Sequence, residues 1–251
     1  MGRVYCSSDW HGVGTVADKV LNFLQPDDKL YFLGDATDRG PDGVRLFQAL
    51  VNDPRVMYIK GNHDEMLARG IYAMYSLHDN EGFLYDWFSN GGNKTADGLS
   101  NVTEDEAWKI REKILLMPTE VYYKSPKGHT VILEHAGHSP SPIPCRSHDP
   151  LWDRSHFFNP WEGPENWYLV HGHTPVQYLK FEYGYDGREK FTKEDMKYKR
   201  IWFQEDSGYI PEVIRYCSGH KFDIDLCTIV SNRIALLDLD TFEVKYFDGE
   251  D

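Results

Sequence analysis

The stretch Leu30-Tyr31-Phe32-Leu33-Gly34-Asp35-Ala36-Thr37-Asp38-Arg39-Gly40 decides the fold. Four apolar residues closed by Gly-Asp read as a buried strand running into a loop, which puts Asp35, Asp38 and Arg39 at a strand's C-terminal end. In open α/β sheets that edge is where ligands bind. A carboxylate fixed there can bridge two cations, and a second can orient a neighbouring imidazole. The Arg39 guanidinium can grip an anionic oxygen through two parallel hydrogen bonds. The combination suits phosphate chemistry.

The same placement recurs on either side. Upstream, residues 3–8 read as a strand that ends in Asp9-Trp10-His11-Gly12, and Val16, Val20, Leu21 and Leu24 then follow at helical spacing from about Val13 to Leu24. Asp9 and His11, two residues apart at a strand end, point the same way and can reach one divalent ion. Alone, the pair equally reads as a turn residue beside a surface histidine. Downstream, Pro41-Asp42-Gly43 opens a helix with apolar positions Val44, Leu46, Phe47, Leu50 and Val51. A third strand, Val56 to Ile59, ends at Lys60-Gly61-Asn62-His63-Asp64. Gly-Asn-His-Asp by itself reads as a turn with a helix N-cap. Three polar clusters at three successive strand ends weigh against that reading.

Beyond these units a helix is expected from His63 to about Tyr75, a loop at Asn90-Gly91-Gly92-Asn93, and a capped amphipathic helix from Thr103 to Met117, together a helical cap beside the sheet. Strands Glu120 to Lys124 and His129 to Glu134 are joined by the hairpin signal Ser125-Pro126-Lys127-Gly128. The second runs into His135-Ala136-Gly137-His138. After Leu151-Trp152-Asp153-Arg154, a strand from Trp167 to Val170 ends in His171-Gly172-His173-Thr174-Pro175.

At 251 residues the chain is long enough for one large α/β domain, and alternating strands and helices fit that better than two small domains. A net charge of −13 opposes a general electrostatic grip on nucleic acid, which is therefore not an expected partner. No run approaches the ~18 apolar residues of a membrane span, and residues 1–6 carry no apolar signal stretch. A cytoplasmic protein with no membrane partner is the expectation. Cys6, Cys145, Cys217 and Cys227 form no Cys-x-x-Cys pair, which argues against a zinc ribbon or a disulfide framework and for buried free thiols.

Five strand ends in order, Asp9-x-His11, Gly34-Asp35-x-x-Asp38-Arg39-Gly40, Gly61-Asn62-His63-Asp64, His135-Ala136-Gly137 and Gly172-His173-Thr174, resemble the phosphoprotein phosphatase branch of the calcineurin-like metallophosphoesterases, especially its small bacterial and phage-type serine/threonine phosphatases. The resemblance covers residues 3–177 and resumes at 222–247, where Ile224-Asp225 and strands around Ile229, Ile234 to Leu237 and Val244 look like the closing strands of that fold. It implies an α/β protein with a central β-sandwich flanked by helices and the active site at the strand C-terminal loops. It further implies one divalent ion on Asp9, His11 and Asp35 and a second on Asp35, Asn62, His135 and His173, with Asp35 as the bridge. Oxygen and imidazole ligands suit manganese, iron or zinc, and bacterial relatives favour manganese. The implied reaction is direct attack on phosphorus by a water bridging the metals, with Arg39 and Arg154 on the phosphoryl oxygens. His63 would protonate the leaving oxygen, held and kept charged by Asp38.

Other histidines receive weaker readings: His171 and His138 are candidates for substrate contact, while His78, His129, His148, His156 and His220 belong to no pattern. The seven tryptophans read as core and rim packing. The chain departs from small relatives by an insertion at about 178–221, with Tyr183 to Gly187, the mixed-charge run Arg188 to Arg200 and Ile201 to Phe203, read as a solvated face or a lid. A second departure is Cys227, where relatives commonly carry Gly. Three functions remain: a protein serine/threonine phosphatase or other phosphomonoester hydrolase acting on phosphoproteins or small phosphoesters, a dinucleoside tetraphosphate or other nucleotide hydrolase, and a non-catalytic metal-dependent binding module. Asp38, which the nucleotide hydrolases often lack, favours the first, and the intact residue set disfavours the last.

Overall fold

Along the opening strands side chains alternate between two cores. Tyr5, Leu30 and Phe32 face a layer of helices, whereas Cys6 and Leu33 face a second sheet. The computed structural model describes residues 2–76, 81–138, 149–181 and 210–249. Strands β1 (Val4–Ser7), β2 (Lys29–Phe32) and β3 (Val56–Tyr58) lie parallel, with Val4 opposite Lys29 and Leu30 opposite Val56. The chain returns to this sheet at its far end: β9 (Arg233–Asp238) pairs antiparallel with β1, and β10 (Val244–Asp248) with β9. The order is β10-β9-β1-β2-β3.

A second five-stranded sheet has the order β4-β5-β6-β8-β7, from Glu120–Lys124, Thr130–Glu134, Trp167–His171, Lys221–Asp223 and Ile214–Tyr216 respectively. Here β5, β6 and β8 are parallel, and β4 and β7 are antiparallel edges. Val131, Leu133, Val170, Phe222 and Ile224 meet Cys6, Leu33, Ile59, Leu237 and Leu239 between the layers. On the outer face of the first sheet lie α1 (Gly14–Phe23), α2 (Gly43–Asn52), α3 (Asn62–Tyr75), α4 (Glu81–Trp87), α5 (Asn93–Leu99) and α6 (Glu104–Leu116), whose Val16, Phe47, Leu67, Trp87, Leu99 and Ile114 form one buried cluster with Leu30 and Phe32. The expected sandwich with flanking helices is therefore the observed architecture.

Three expectations differ in detail. The loop expected at Asn90 to Asn93 is reduced to a tight kink: α4 and α5 almost abut, and Gly91, at φ 97 where a side chain would be strained, breaks the helix between them. Ile229 is not in a strand but in α8 (Thr228–Ser231), because β8 and β9 belong to different sheets and a helical turn carries the chain between layers. Of the expected insertion, Val176–Phe181 form α7, Ile214–Tyr216 form β7, and residues 182–209, including the whole mixed-charge run, lie outside the described residues. Cys145, His78 and His148 lie outside them too. Cys6, Cys217 and Cys227 are free thiols. No helix among the described residues is long and apolar enough to cross a membrane.

Candidate metal centre and active site

Parallel strands put successive loops at one edge, and backbone hydrogen bonds lock these loops together. The amides of Asp9, His11 and Gly12 donate to the carbonyls of Gly34, Asp35 and Ala36 at 3.1, 3.0 and 2.9 Å. Within the second sheet, past the ends of β5 and β6, the Gly172 amide donates to the His135 carbonyl at 2.9 Å. The approach is close enough that only glycine fits at Gly34, where φ is 95 and a Cβ would lie 2.3 Å from the Gly61 nitrogen. Asp9, His11, Asp35, Asp38, Arg39 and His173 all adopt left-handed backbone, with φ between 41 and 67. Such conformations cost of order 1–3 kcal/mol each outside glycine and gather where function requires a fixed side-chain direction.

Their acceptor atoms converge. Oxygen and nitrogen atoms of Asp9, Asp35 and His135 lie within 4.8 Å of one another, as do those of His11, Asp35 and His63. Asp35 is shared by both groups. Its Oδ1 accepts the His63 amide at 2.9 Å, and its Oδ2 stands 3.4 Å from His135 Nε2 and 3.9 Å from His11 Nε2. His11 Nδ1 donates to the Thr37 carbonyl at 2.9 Å and His135 Nδ1 to the Leu33 carbonyl at 2.7 Å. Because a carbonyl only accepts, these bonds turn both Nε2 atoms inward as ligand donors. Asn62 Oδ1 is approached by His135 Nε2 at 2.8 Å and by His173 Nδ1 at 3.0 Å. The His173 amide donates to Asp9 Oδ2 at 3.1 Å, joining the two ends of the chain's core.

These residues fit divalent cations. His173 Nε2 is buried without a partner, and four carboxylates, Asp9, Asp35, Asp223 and Asp225, are buried together with few cations among the described residues to offset them. Burial, reinforced by Asp35, pushes the Asp9 carboxyl up to about 6. Burial also drives Asp223 and Asp225 well above the usual range. Asp35 is the exception: against the burial penalty, the charges of His135 and His63 hold it well below the carboxylate range, and Asp35 in turn raises His135 to about 10. Desolvation keeps His11 and His173 neutral, as ligands must be.

The expected acid and its partner meet beside this cluster. His63 Nδ1 donates to Asp38 Oδ2 at 2.7 Å, and both side chains are buried. The opposite ring nitrogen, Nε2, lies 3.0 Å from Arg39 Nη2, which can only donate. The His63 ring packs edge-on against His11 with centroids 4.8 Å apart. Arg154, exposed at the rim, donates through Nε to Thr174 Oγ1 at 2.9 Å, which places its guanidinium beside His173.

His171 lies apart from the site. Its Nε2 bonds the Tyr216 hydroxyl at 2.7 Å, and its Nδ1 lies 3.1 Å from the Gly172 carbonyl. His138 is tied by Nδ1 to Glu134 Oε2 at 2.7 Å, with Glu120 Oε2 at 3.8 Å. Sequence reasoning passed over Asp64, whose Oδ2 accepts the Gly61 and Asp35 amides at 2.9 and 3.1 Å and whose Oδ1 accepts the Tyr58 hydroxyl at 2.8 Å. Its place in the first turn of α3, directly after His63, was the available signal; Tyr58 offered none. Cys227, where glycine was the expectation, is left-handed at φ 54, a region that glycine adopts without strain.

Comparison with known proteins bears on the family and the fold. The family model described as calcineurin-like phosphoesterase matches residues 2–221. An asymmetrical bis(5'-nucleosyl)-tetraphosphatase, PrpE, of Oceanobacillus iheyensis is 27% identical over 117 residues, a match spanning 43% of this chain and only 41% of that relative. Among solved structures, one provisionally assigned as a diadenosine tetraphosphatase superposes with a TM-score of 0.59 at 16% identity, over 100% of this chain and 95% of its own. A serine/threonine phosphatase from Saccharomyces cerevisiae gives 0.53 at 12% identity, over 100% and 81%. At such identities these two likenesses concern the fold. The family match spans most of the sequence, and the chain belongs to the calcineurin-like phosphoesterase family.

Proposed function

We propose that the chain is a metal-dependent phosphomonoester hydrolase of the phosphoprotein phosphatase kind, acting on protein phosphoserine and phosphothreonine with manganese as the activating ion. The observation that carries this reading is the buried Asp38–His63 pair, 2.7 Å apart, with a ring nitrogen of His63 within 4.8 Å of ligand atoms of His11 and Asp35. Asp9, His11 and Asp35 would hold one ion and Asp35, Asn62, His135 and His173 the other. Two such ions supply an activated water at neutral pH and offset phosphoryl charge.

The chain's own groups do the rest. Arg39 and Arg154 grip phosphoryl oxygens, countering the charge spread over them in the transition state. When Arg39 turns to the phosphoryl group it releases His63 Nε2, which can then carry the proton for the leaving oxygen. Asp38 steadies the resulting imidazolium. A second reading, hydrolysis of dinucleoside tetraphosphates, is favoured by the Oceanobacillus relative and by the structure that carries that activity in its name.

The two are separated by measuring manganese-dependent turnover on a phosphopeptide, p-nitrophenyl phosphate and diadenosine tetraphosphate. A preference of about a hundredfold, ~2.7 kcal/mol in the transition state, assigns the class. A hundredfold preference for diadenosine tetraphosphate would replace the first reading by the second.

A further inference from the structure

We propose that Trp87 and Thr95 are positioning residues for the Asp38–His63 pair, so that the helical segment over the sheet sets the direction in which the proton is delivered. The inference rests on the hydrolase reading above. Asp38 is fully buried, and its carboxylate receives more than the His63 ring. Thr95 Oγ1 donates to Asp38 Oδ1 at 2.6 Å, and the Trp87 indole nitrogen reaches Oδ1 at 3.2 Å and Oδ2 at 3.0 Å. Thr95 also accepts the Asp38 amide at 2.8 Å, so one hydroxyl is fixed from both sides.

The neighbouring residue is held by the same segment: the Arg39 amide donates to the Gly91 carbonyl at 3.0 Å. Trp87 closes α4, Gly91 is the left-handed kink after it and Thr95 lies in α5, so the bend between the two helices brings all three to Asp38 and Arg39.

Packing shows how much of the fold is arranged around the indole. A Cβ on Gly70 of α3 would come 2.4 Å from the ring of Trp87, and one on Gly92 would come 2.3 Å from its Nε1. Two glycines on different elements leave room for one side chain, which is fully buried and spends its single N–H on a carboxylate. A carboxylate that accepts from Trp87, Thr95 and His63 cannot rotate freely, and the imidazole bonded to it keeps its plane. Removing either added donor lets Asp38 swing and His63 Nε2 drift from the leaving oxygen. A general acid contributes only while it is aligned.

The test compares kcat/KM on phenyl phosphate, whose poor leaving group needs a proton, with 2,4-dinitrophenyl phosphate, whose leaving group does not. The ratio of the two is independent of the fraction of folded enzyme, and metal content is measured alongside. Trp87→Phe and Thr95→Val should each lower the phenyl to dinitrophenyl ratio by about tenfold, a fraction of the loss in His63→Asn. Thr95→Ser, which keeps the hydroxyl, should restore the wild-type ratio. If His63→Asn lowers the ratio while Trp87→Phe and Thr95→Val leave it within about twofold of wild type, the positioning role is wrong and the hydrolase reading stands. If His63→Asn leaves the ratio unchanged, the acid itself is misassigned and the positioning role falls with it.

Discussion

Between pH 6.5 and 9 the metal-free protein should lose stability through one histidine. His135 is fully buried, with Nδ1 on the Leu33 carbonyl at 2.7 Å and Nε2 at 3.4 Å from Asp35 Oδ2. Burial alone would keep it neutral, but the Asp35 charge outweighs burial and raises it from 6.5 to about 10. A folded value above the unfolded one means that the stabilisation is fully present below about pH 6.5 and fades as the pH climbs towards about 10. Each unit inside that window removes about 1.4 kcal/mol. From pH 6.5 to 9 the loss is about 3 kcal/mol, roughly 6–12 °C in melting temperature for a chain of this size. Thermal unfolding in excess chelator, for the wild type and for His135→Asn at stepped pH, reads the contribution of His135 together with the downward shifts its charge imposes on Asp35 and Asp9. Divalent cations should oppose the decline, because each ligand proton displaced adds up to about tenfold in affinity per pH unit. Two melting curves that stay parallel from pH 6.5 to 9 would refute the His135–Asp35 coupling.

Further outcomes follow from other contacts. Asp35→Asn removes the carboxylate shared by both groups of candidate ligands, so metal-dependent turnover should vanish and bound metal, read by elemental analysis, should fall. Gly34→Ala forces a side chain into φ 95 against the Gly61 nitrogen and should cost roughly 2–3 kcal/mol in urea unfolding. His171→Leu deprives the buried Tyr216 hydroxyl of one partner, for a loss of about 1–3 kcal/mol with metal stoichiometry unchanged; a drop in bound metal would make His171 part of the site. Leu133→Ala, between the two sheets, should cost about 2–5 kcal/mol by the same unfolding measurement.

Much of the molecule was legible in the chain because its signals are short-range. Strand ends from β1 to β3 and the hairpin of β4 and β5 follow from apolar runs closed by Gly, Asn and Asp, and such turn chemistry acts over a few residues. Asn90 to Asn93 signalled a break for the same reason but not how short it would be. Two glycines and two asparagines signal a loop, yet Gly91 and Gly92 make only a sharp kink between two helices, close enough to Arg39 and the Trp87 ring that a side chain would not fit. Ile229 looked like strand by its apolar neighbours, and only the change of layer between β8 and β9 explains a helical turn.

The sequence by itself determined which side chains stand at strand ends, because the two-residue period of a strand and the preference of Gly, Asn and Asp for turns are local properties. Tertiary structure alone decided that Asp9 meets His173, that Asn62 lies between His135 and His173, and that Trp87 and Thr95 reach Asp38. Those distances depend on sheet register and on how closely two layers approach, which are set by burial summed over the whole core rather than by any neighbouring residues.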